Sequence, residues 1–367
     1  MFPKAEGDDR SLVEQARYLA AQLAQPSSAE RDRPGRWDAS LFKALTAAFA
    51  PGLTGTQTAA VLTALGEGGR DPGLTLAVTA HAVLTTVPIR AFGTTAQRER
   101  YLPRIASGEW PGGLSLQQTR GTALACTVAV IPAADGASGW MLSGRLDQVV
   151  LGVEAHHYLV VAQHDDGSRT AFLLDRDTPG LRAEPDGPAA LASCAWGRLT
   201  LDQTRVPADA VLGTVGAAGT ETEPLVAALD WVFTSAGWLG LMRALTDDAL
   251  AGARTLELFG APLAHSQSIR FLLADLAVQN ELTAGLLHRA AARFDGDATP
   301  SAREAATVRH FTAGAVRTVA EGAARLAGAT APGLVERAHR DALFFASAAG
   351  GADVLRPVIA APLLGLG

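Results

Sequence analysis

The sequence predicts an α+β fold in three successive parts: a helical domain over 1–111, a central antiparallel β-domain over 112–222 and a helical bundle over 223–367. Three observations carry that expectation. Apolar residues recur at three- and four-residue spacing through the first third and again through the last. Between them lie short β-rich runs separated by Gly, Asp and Pro turns, with no helical pattern intervening. Neither a low-complexity linker nor a short internal repeat interrupts the order.

The elements follow from the chain in turn. SLVEQARYLAAQLAQ sets Leu12, Ala16, Leu19 and Leu23 on one amphipathic stripe. SSAERDRPGR is a polar break, after which WDASLFKALTAAFA resumes the helical period with Asp38 placed as an N-cap. TGTQTAAVLTALGEGG and DPGLTLAVTAHAVLTTVPIRAFG continue the series, and TTAQRERYLPRIASGEW makes a short helix closed by Pro103 and Gly108. From GGLSLQQT to Gly213 the runs CTVAVI, GWMLSG, HYLVVAQ, TAFLLD and WGRLTLDQTRV read as strands of a small antiparallel sandwich or barrel. Long apolar-striped segments beginning at Pro224, Ser266 and Ser301 then predict helices of roughly 20–30 residues packed as a bundle.

Composition bounds the function. With 367 residues, 48% hydrophobic and 19% charged, the chain has a globular balance and can fill a sizeable core. A net charge of −6 argues against a nucleic-acid surface, and arginine supplies nearly all the positive charge, since Lys4 and Lys43 are the only lysines. Cys126 and Cys194 read as isolated buried thiols rather than a disulfide framework. The first residues lack a basic segment followed by an apolar core, and no apolar run reaches the roughly 18–20 residues a spanning helix needs. The expectation is a soluble, cytoplasmic protein with neither a membrane nor a nucleic-acid partner. No His, Cys or Asp pair has metal-ligand spacing, so no metal is expected, and neither a G-x-S-x-G nor a phosphate-binding glycine loop occurs.

Four ordered stretches carry a family resemblance. FGTTAQRERYLPRIASGEW, LTLDQTRVPADAVLG, LFGAPLAHSQSIRFLLADL and RAHRDALFF resemble, at suitable intervals, signatures of the acyl-CoA dehydrogenase family over nearly the whole chain. The resemblance implies that the bundle is a four-helix bundle and that the chain assembles through it as a homodimer or homotetramer. It also implies FAD as cofactor and an acyl thioester, borne by coenzyme A or a carrier protein, as substrate. The scarcity of lysine and the short loops are most similar to members of polyketide and peptide biosynthesis that act on carrier-protein thioesters.

Residue by residue, the family's machinery is thinned. Its T-E-P-x-x-G-S-D flavin loop corresponds to Leu116, Gln117, Gln118, Thr119, Arg120, Gly121, Thr122 and Ala123, which keep the glycine and one hydroxyl. Its W-(I/V)-(T/S)-N motif falls on Gln148, Val149, Val150 and Leu151, where valine offers no donor and glutamine cannot stack as an indole does. The R-x-x-F-G arginine that reaches a neighbouring subunit's flavin pyrophosphate falls on Leu256, with Arg254 about 200° away around the helix. Gln267 matches a family glutamine, and in the family's Q-x-x-G-G-x-G stretch Gly328 is the one glycine kept. Bound FAD is therefore less expected than none.

The base is displaced as well. In FFASAAGGADVLRP, Ala349 stands where most of the family carries the proton-abstracting glutamate, and alanine takes no proton. The isovaleryl and long-chain branches place their base on the first long bundle helix, and that position falls on Asp230, followed by Trp231. Aspartate is one methylene shorter than glutamate. A structural acid is the competing reading for Asp230, although an unpaired carboxylate on so apolar a helix would be costly. His81, on the helix that borders the acyl pocket in the family, is a weaker catalytic candidate, since a satisfied core histidine explains it as well. His156 and His157 read as loop residues.

Three functions follow as expectations. The first is non-redox proton transfer (cyclisation, dehydration or isomerisation) on a biosynthetic acyl thioester, carried by Asp230 and with it His81. The second is a divergent FAD-dependent acyl-CoA or acyl-carrier-protein dehydrogenase. The third is a catalytically silent partner subunit of an intact dehydrogenase.

Overall fold

The computed structural model describes residues 9–33, 35–49, 53–120, 127–132, 139–258, 260–296, 298–327, 332–348 and 351–365. Seven helices come first: α1 (Asp9–Leu23), α2 (Ser28–Arg31), α3 (Ala39–Thr46), α4 (Gly55–Gly69), α5 (Pro72–Thr79), α6 (Thr86–Phe92) and α7 (Thr95–Ala106). Asp38 caps α3 by accepting from Leu41 N at 2.9 Å, and Thr54 and Thr94 open α4 and α7 with capping boxes closed by Gln57 and Gln97. In α1 the buried face is Ala16 and Ala20, continued by Ala24 just past its end, while Leu23 of the expected stripe is exposed. Small residues prevail there because α4 comes very close: a Cβ on Gly68 would stand 2.3 Å from the Arg17 carbonyl oxygen. Pro103 lies inside α7 rather than closing it. The helix ends at Ala106, where Ser107 N and Gly108 N bond back to Pro103 and Ile105, with Gly108 at φ 69°.

Strands follow: β1 (Gly112–Ser115), β2 (Val128–Pro132), β3 (Gly139–Val150), β4 (His157–Gln163), β5 (Arg169–Asp175), β6 (Leu181–Pro185), β7 (Gly197–Pro207) and β8 (Val211–Leu212). They form one eight-stranded sheet in the order β6-β7-β3-β1-β4-β5-β8, with β2 beside β3 and β4. The sheet is mixed rather than purely antiparallel, because β1 runs parallel to β4 from Gly112↔His157 to Leu114↔Leu159. β1 enters from the helical domain and not from a hairpin, so no tight turn dictates its direction. Strands β1, β6 and β8, with four, five and two residues, are too short for an alternating pattern to reveal.

The last part holds α8 (Thr222–Leu229), α9 (Ser235–Thr255), a small hairpin of β9 (Glu257–Leu258) and β10 (Ala261–Pro262), α10 (Gln267–Ala291), α11 (Ala302–Ala327), α12 (Pro332–Ser347) and α13 (Gly351–Ala360). Two composite helices, Pro72–Phe92 and Thr222–Thr255, are long and apolar enough to cross a membrane, contrary to the expectation from the sequence. Their apolar stretches are 94% and 100% buried within the protein, which accounts for the composition as that of core helices. α4 and α9 cross backbone to backbone: a Cβ on Gly66 would meet the Gly237 carbonyl oxygen at 2.1 Å, and one on Gly240 would meet that of Thr63 at 2.1 Å. This contact locks the first bundle helix onto the N-terminal domain.

Candidate functional site

Each composite helix widens by one residue in its middle. The first does so over Ala80–Thr85, between α5 and α6, and the second over Asp230–Thr234, between α8 and α9. Such π-type turns leave carbonyls offset from the regular ladder, and hydroxyls take them up here: Thr85 and Thr86 donate to the His81 carbonyl at 3.1 and 2.6 Å, and Ser235 donates to that of Trp231 at 2.7 Å. Each widened turn carries one of the catalytic candidates.

Asp230 is 1% exposed. Its Oδ2 accepts from Thr119 Oγ1 at 2.8 Å and its Oδ1 accepts from Thr234 Oγ1 at 2.7 Å. Thr234 lies one turn further along the same helix, whereas Thr119 ends a short helical turn after β1, so this bond spans β-domain and bundle. A third group faces the carboxylate from α11. Arg309 is buried, its guanidinium lies 3.6 Å from the Phe345 ring centroid, and its Nη2 donates to the Phe345 carbonyl at 3.0 Å. Burial pulls the guanidinium down to about 10, and the charge of Asp230 opposes that shift. Phe345, which also packs on Trp238 at 4.7 Å, lies on α12 just before the Ala349 position, itself outside the described residues.

Next to Asp230, Trp231 is 2% exposed, and its indole Nε1 has no hydrogen-bond partner. Trp231 lines a cleft of ≈ 460 Å³ between Phe92 at the end of α6, Pro224 and Ala228 on α8, Ser301 before α11 and Val358 on α13. Glu221 is the only charged residue in its lining, and that carboxylate accepts from Thr214 N at 2.9 Å. Asp230 itself is outside that lining; a buried carboxylate held by neutral hydroxyls can accept a proton in a water-poor setting.

His81 stands elsewhere, on a void of ≈ 40 Å³ that it lines with Phe49, Leu53 and Leu102. Its Nδ1 accepts from Gly112 N at 3.3 Å, and the ring also hydrogen-bonds the Ile105 backbone. Burial pushes it down to about 4, so it is neutral at ordinary pH. The sequence grouped His81 with Asp230, but the structure sets His81 on the 40 Å³ void, while Trp231, the residue after Asp230, lines the 460 Å³ cleft. His156 stacks flat on Trp110 at 3.9 Å, and His157, expected in a loop, opens β4 fully buried and is pushed down to about 3 by burial and then by His81 and His156.

The remaining positions are committed or apolar. Gln118 is bonded in both directions to the backbone of Val161 on β4, donating Nε2 to its carbonyl at 2.7 Å and accepting its N–H at 3.1 Å. Val149 and Val150 are wholly buried in the sheet, where they pair with Ser115 and Leu114. Gln148, half-buried, adopts φ 53°. Leu256 ends α9 half-buried, with Arg254 exposed, and Gln267 opens α10 exposed. Thr122 and Gly328 lie outside the described residues, as does Cys126, while Cys194 is a buried free thiol. Among the described residues no group of three His, Cys, Asp or Glu side chains could hold a metal.

The Arg340–Asp341 pair proves to be an anchor. Arg340 Nη1 donates to Asp32 of the helical domain at 2.8 Å, and Asp341 accepts from Leu191 N of the β-domain at 3.0 Å. Burial lifts Asp341 to about 6. Nearby, Asp71 caps α5, pairs with Arg31 at 2.9 Å and accepts from Ser193. Thr119, Thr234 and Arg309 were not singled out from the sequence. Thr234 was findable, since a hydroxyl four residues after a buried aspartate faces it on a helix; the other two meet Asp230 only through tertiary packing.

Residues 6–109 match the family model "Acyl-CoA dehydrogenase, N-terminal domain" and residues 232–364 match "Acyl-CoA dehydrogenase, C-terminal domain". The chain is 29% identical over 287 residues to the mitochondrial short-chain specific acyl-CoA dehydrogenase of Bos taurus, covering 76% of this chain and 68% of the relative. It is 28% identical over 248 residues to the L-prolyl-[peptidyl-carrier protein] dehydrogenase of Pseudomonas fluorescens, covering 65% and 64%. Among solved structures, the FAD complex of PigA superposes with a TM-score of 0.87 at 22% identity over 100% of both chains, a likeness of fold.

Proposed function

Because this chain belongs to the acyl-CoA dehydrogenase family, and its residues depart from that family where the redox chemistry resides, we propose that it transfers protons on an acyl thioester without a flavin. The observation that carries this reading is Asp230: a buried carboxylate, held by two hydroxyls and faced by a guanidinium, next in the chain to Trp231, which lines the cleft. The described flavin positions do not fit an isoalloxazine. Gln118 spends its amide on β4, Val149 and Val150 are sheet core, and Leu256 brings no charge to a pyrophosphate. Thr119, from the stretch that corresponds to the flavin loop, spends its hydroxyl on Asp230.

The step needs only this chain's groups. Asp230 takes the proton from the carbon α to the thioester carbonyl, and the C–H electron pair moves into an enolate. Return of the proton at another carbon isomerises the acyl group. Loss of a β-hydroxyl as water dehydrates it, and attack on an internal carbonyl cyclises it. Thr119 and Thr234 fix the carboxylate's plane, and Trp231 beside it walls the cleft. The similarity to an L-prolyl-[peptidyl-carrier protein] dehydrogenase supports a carrier-protein thioester of biosynthesis as the substrate class. Exposed Phe271, Val278 and Leu282 form an outer apolar stripe on α10 that supports self-association, to be checked by light scattering.

The test is deuterium exchange. Butyryl-pantetheine in D2O is expected to gain deuterium at its α-carbon with the wild-type protein and at least about 100-fold more slowly with Asp230→Asn. Equal rates would remove Asp230 from the chemistry. A second reading, flavin-dependent dehydrogenation, is favoured by the likeness to an FAD complex. A yellow visible band, with FAD released on denaturation, would establish that alternative and overturn the first.

A further inference from the structure

A second cavity lies apart from the cleft at Trp231. It measures ≈ 310 Å³ and opens where the segment before α3 meets the β-domain, walled by Trp37, Val153, Pro185, Pro188 and Trp196. Small-molecule sites span about 300–1,000 Å³, so this one suits a single ring with a short polar head. It shares no lining residue with the cleft. Its aromatic walls are fixed by neighbours. Trp37 packs on Phe42 at 5.0 Å. Trp196 is 7% exposed, packs on Phe344 at 5.4 Å and donates Nε1 to the Ala190 carbonyl at 2.8 Å. On another side runs the short turn Ala192–Cys194, set between Leu191 and Ala195 at φ 54° and 55°. Residues other than glycine hold such left-handed angles only where their surroundings impose them. Here Asp341 accepts from Leu191 N at 3.0 Å, and Asp71 accepts from Ser193 Oγ.

Three charged side chains complete the lining, and they are not equivalent. Asp186 is spent on Arg198 at 2.5 Å. Glu154, half-buried, and Arg36, exposed, make no side-chain hydrogen bond or ion pair among the described residues. Both border the one cavity without closing on each other, so a carboxylate and a guanidinium are left for a ligand that carries both signs. We propose that this cavity binds a free α-amino acid with an aromatic side chain. Its ammonium meets Glu154, its carboxylate takes the Arg36 fork, and its ring lies against Trp37 and Trp196. A neutral apolar molecule leaves both charges unanswered, and an amine or an acid alone leaves one. The proposal is independent of the chemistry assigned to Asp230. Because the cavity joins the helical domain to the β-domain, its occupant also raises the thermal midpoint by mass action.

Calorimetric titration of the whole protein with L-phenylalanine is the test. One site with a Kd below about 1 mM is expected. Phenethylamine, which lacks the carboxylate, and 3-phenylpropionate, which lacks the ammonium, are expected to bind about fivefold more weakly or worse. Glu154→Gln should weaken L-phenylalanine about tenfold and leave 3-phenylpropionate unchanged. Arg36→Gln, at an exposed group, should weaken it about three- to fivefold and leave phenethylamine unchanged. Thermal midpoints without ligand establish that the variants fold; should either melt early, the two analogues on the wild-type protein decide. No heat of binding up to about 10 mM overturns the proposal. So does an analogue that binds as tightly as the amino acid, or an affinity that both variants leave intact. A Kd raised by saturating butyryl-pantetheine would place the amino acid in the cleft and overturn its assignment here.

Discussion

The two widened helix turns invite comparison. Ala80–Thr85 and Asp230–Thr234 both interrupt long buried helices, both place a titratable side chain in the core, and both use nearby hydroxyls to absorb displaced carbonyls. At the first, backbone groups of Gly112 and Ile105 satisfy His81, which stays neutral and ties the helical domain to β1. At the second, side-chain hydroxyls satisfy Asp230, which stands opposite a guanidinium with a donor to spare. The lesson is that a π-type turn marks where a helix bends its rules, and the partners decide whether the exception serves structure or chemistry.

Substitutions can break or sharpen that contrast. The largest effect is expected from Asp230→Ala, which strands two hydroxyls and leaves Arg309 as an uncompensated buried charge. A loss of about 3–5 kcal/mol in urea unfolding is expected, and a loss below 1 kcal/mol would mean that the charges do not sense each other. Acid comes next and tests the histidine side. His81 and His157 titrate near 4 and 3 when folded against 6.5 when unfolded, so the unfolded chain binds more protons between those values. Their contribution is complete above pH 6.5 and drains away as pH falls toward 4, by a few kcal/mol in all. Thermal midpoints measured from pH 7 to 4 should drop steeply below 6, and less steeply for His157→Phe.

Smaller effects refine the picture. Thr234→Val removes one bond to a charged acceptor, and about 1.5–3 kcal/mol of stability should go, with slower exchange on butyryl-pantetheine. Retained wild-type exchange would show that Thr119 alone can orient the carboxylate. His81→Gln should cost about 1–3 kcal/mol in denaturant unfolding yet leave exchange within about threefold. A rate that collapses in this variant would move His81 into the chemistry and erase the contrast.

Much of this was legible beforehand, because helical period and turn residues act locally. Asp38 caps its helix, Gly108 ends one, and each of the five β-rich runs overlaps a strand. Where several partners compete, local pattern fell short. The α1 face turned toward its alanines because α4 approaches at Gly68, and β1 ran parallel to β4 because it enters from the helical domain. Asp230 could be found by counting from Gly240-Leu241-Met242, but its companions could not. Thr119 and Arg309 lie 111 and 79 residues from it along the chain, and no spacing rule links such distances.

The sequence by itself determined the three-part order and the family. It also held Asp230 in the apolar middle of the first bundle helix. Only the tertiary structure decided that the acid is joined to the β-domain through Thr119, that His81 is occupied elsewhere, and that Arg309 keeps a donor unspent. The reason is physical. Propensity and period depend on neighbours within a few residues, whereas the bonding of a buried charge depends on whichever groups the packed core brings within about 3 Å of it.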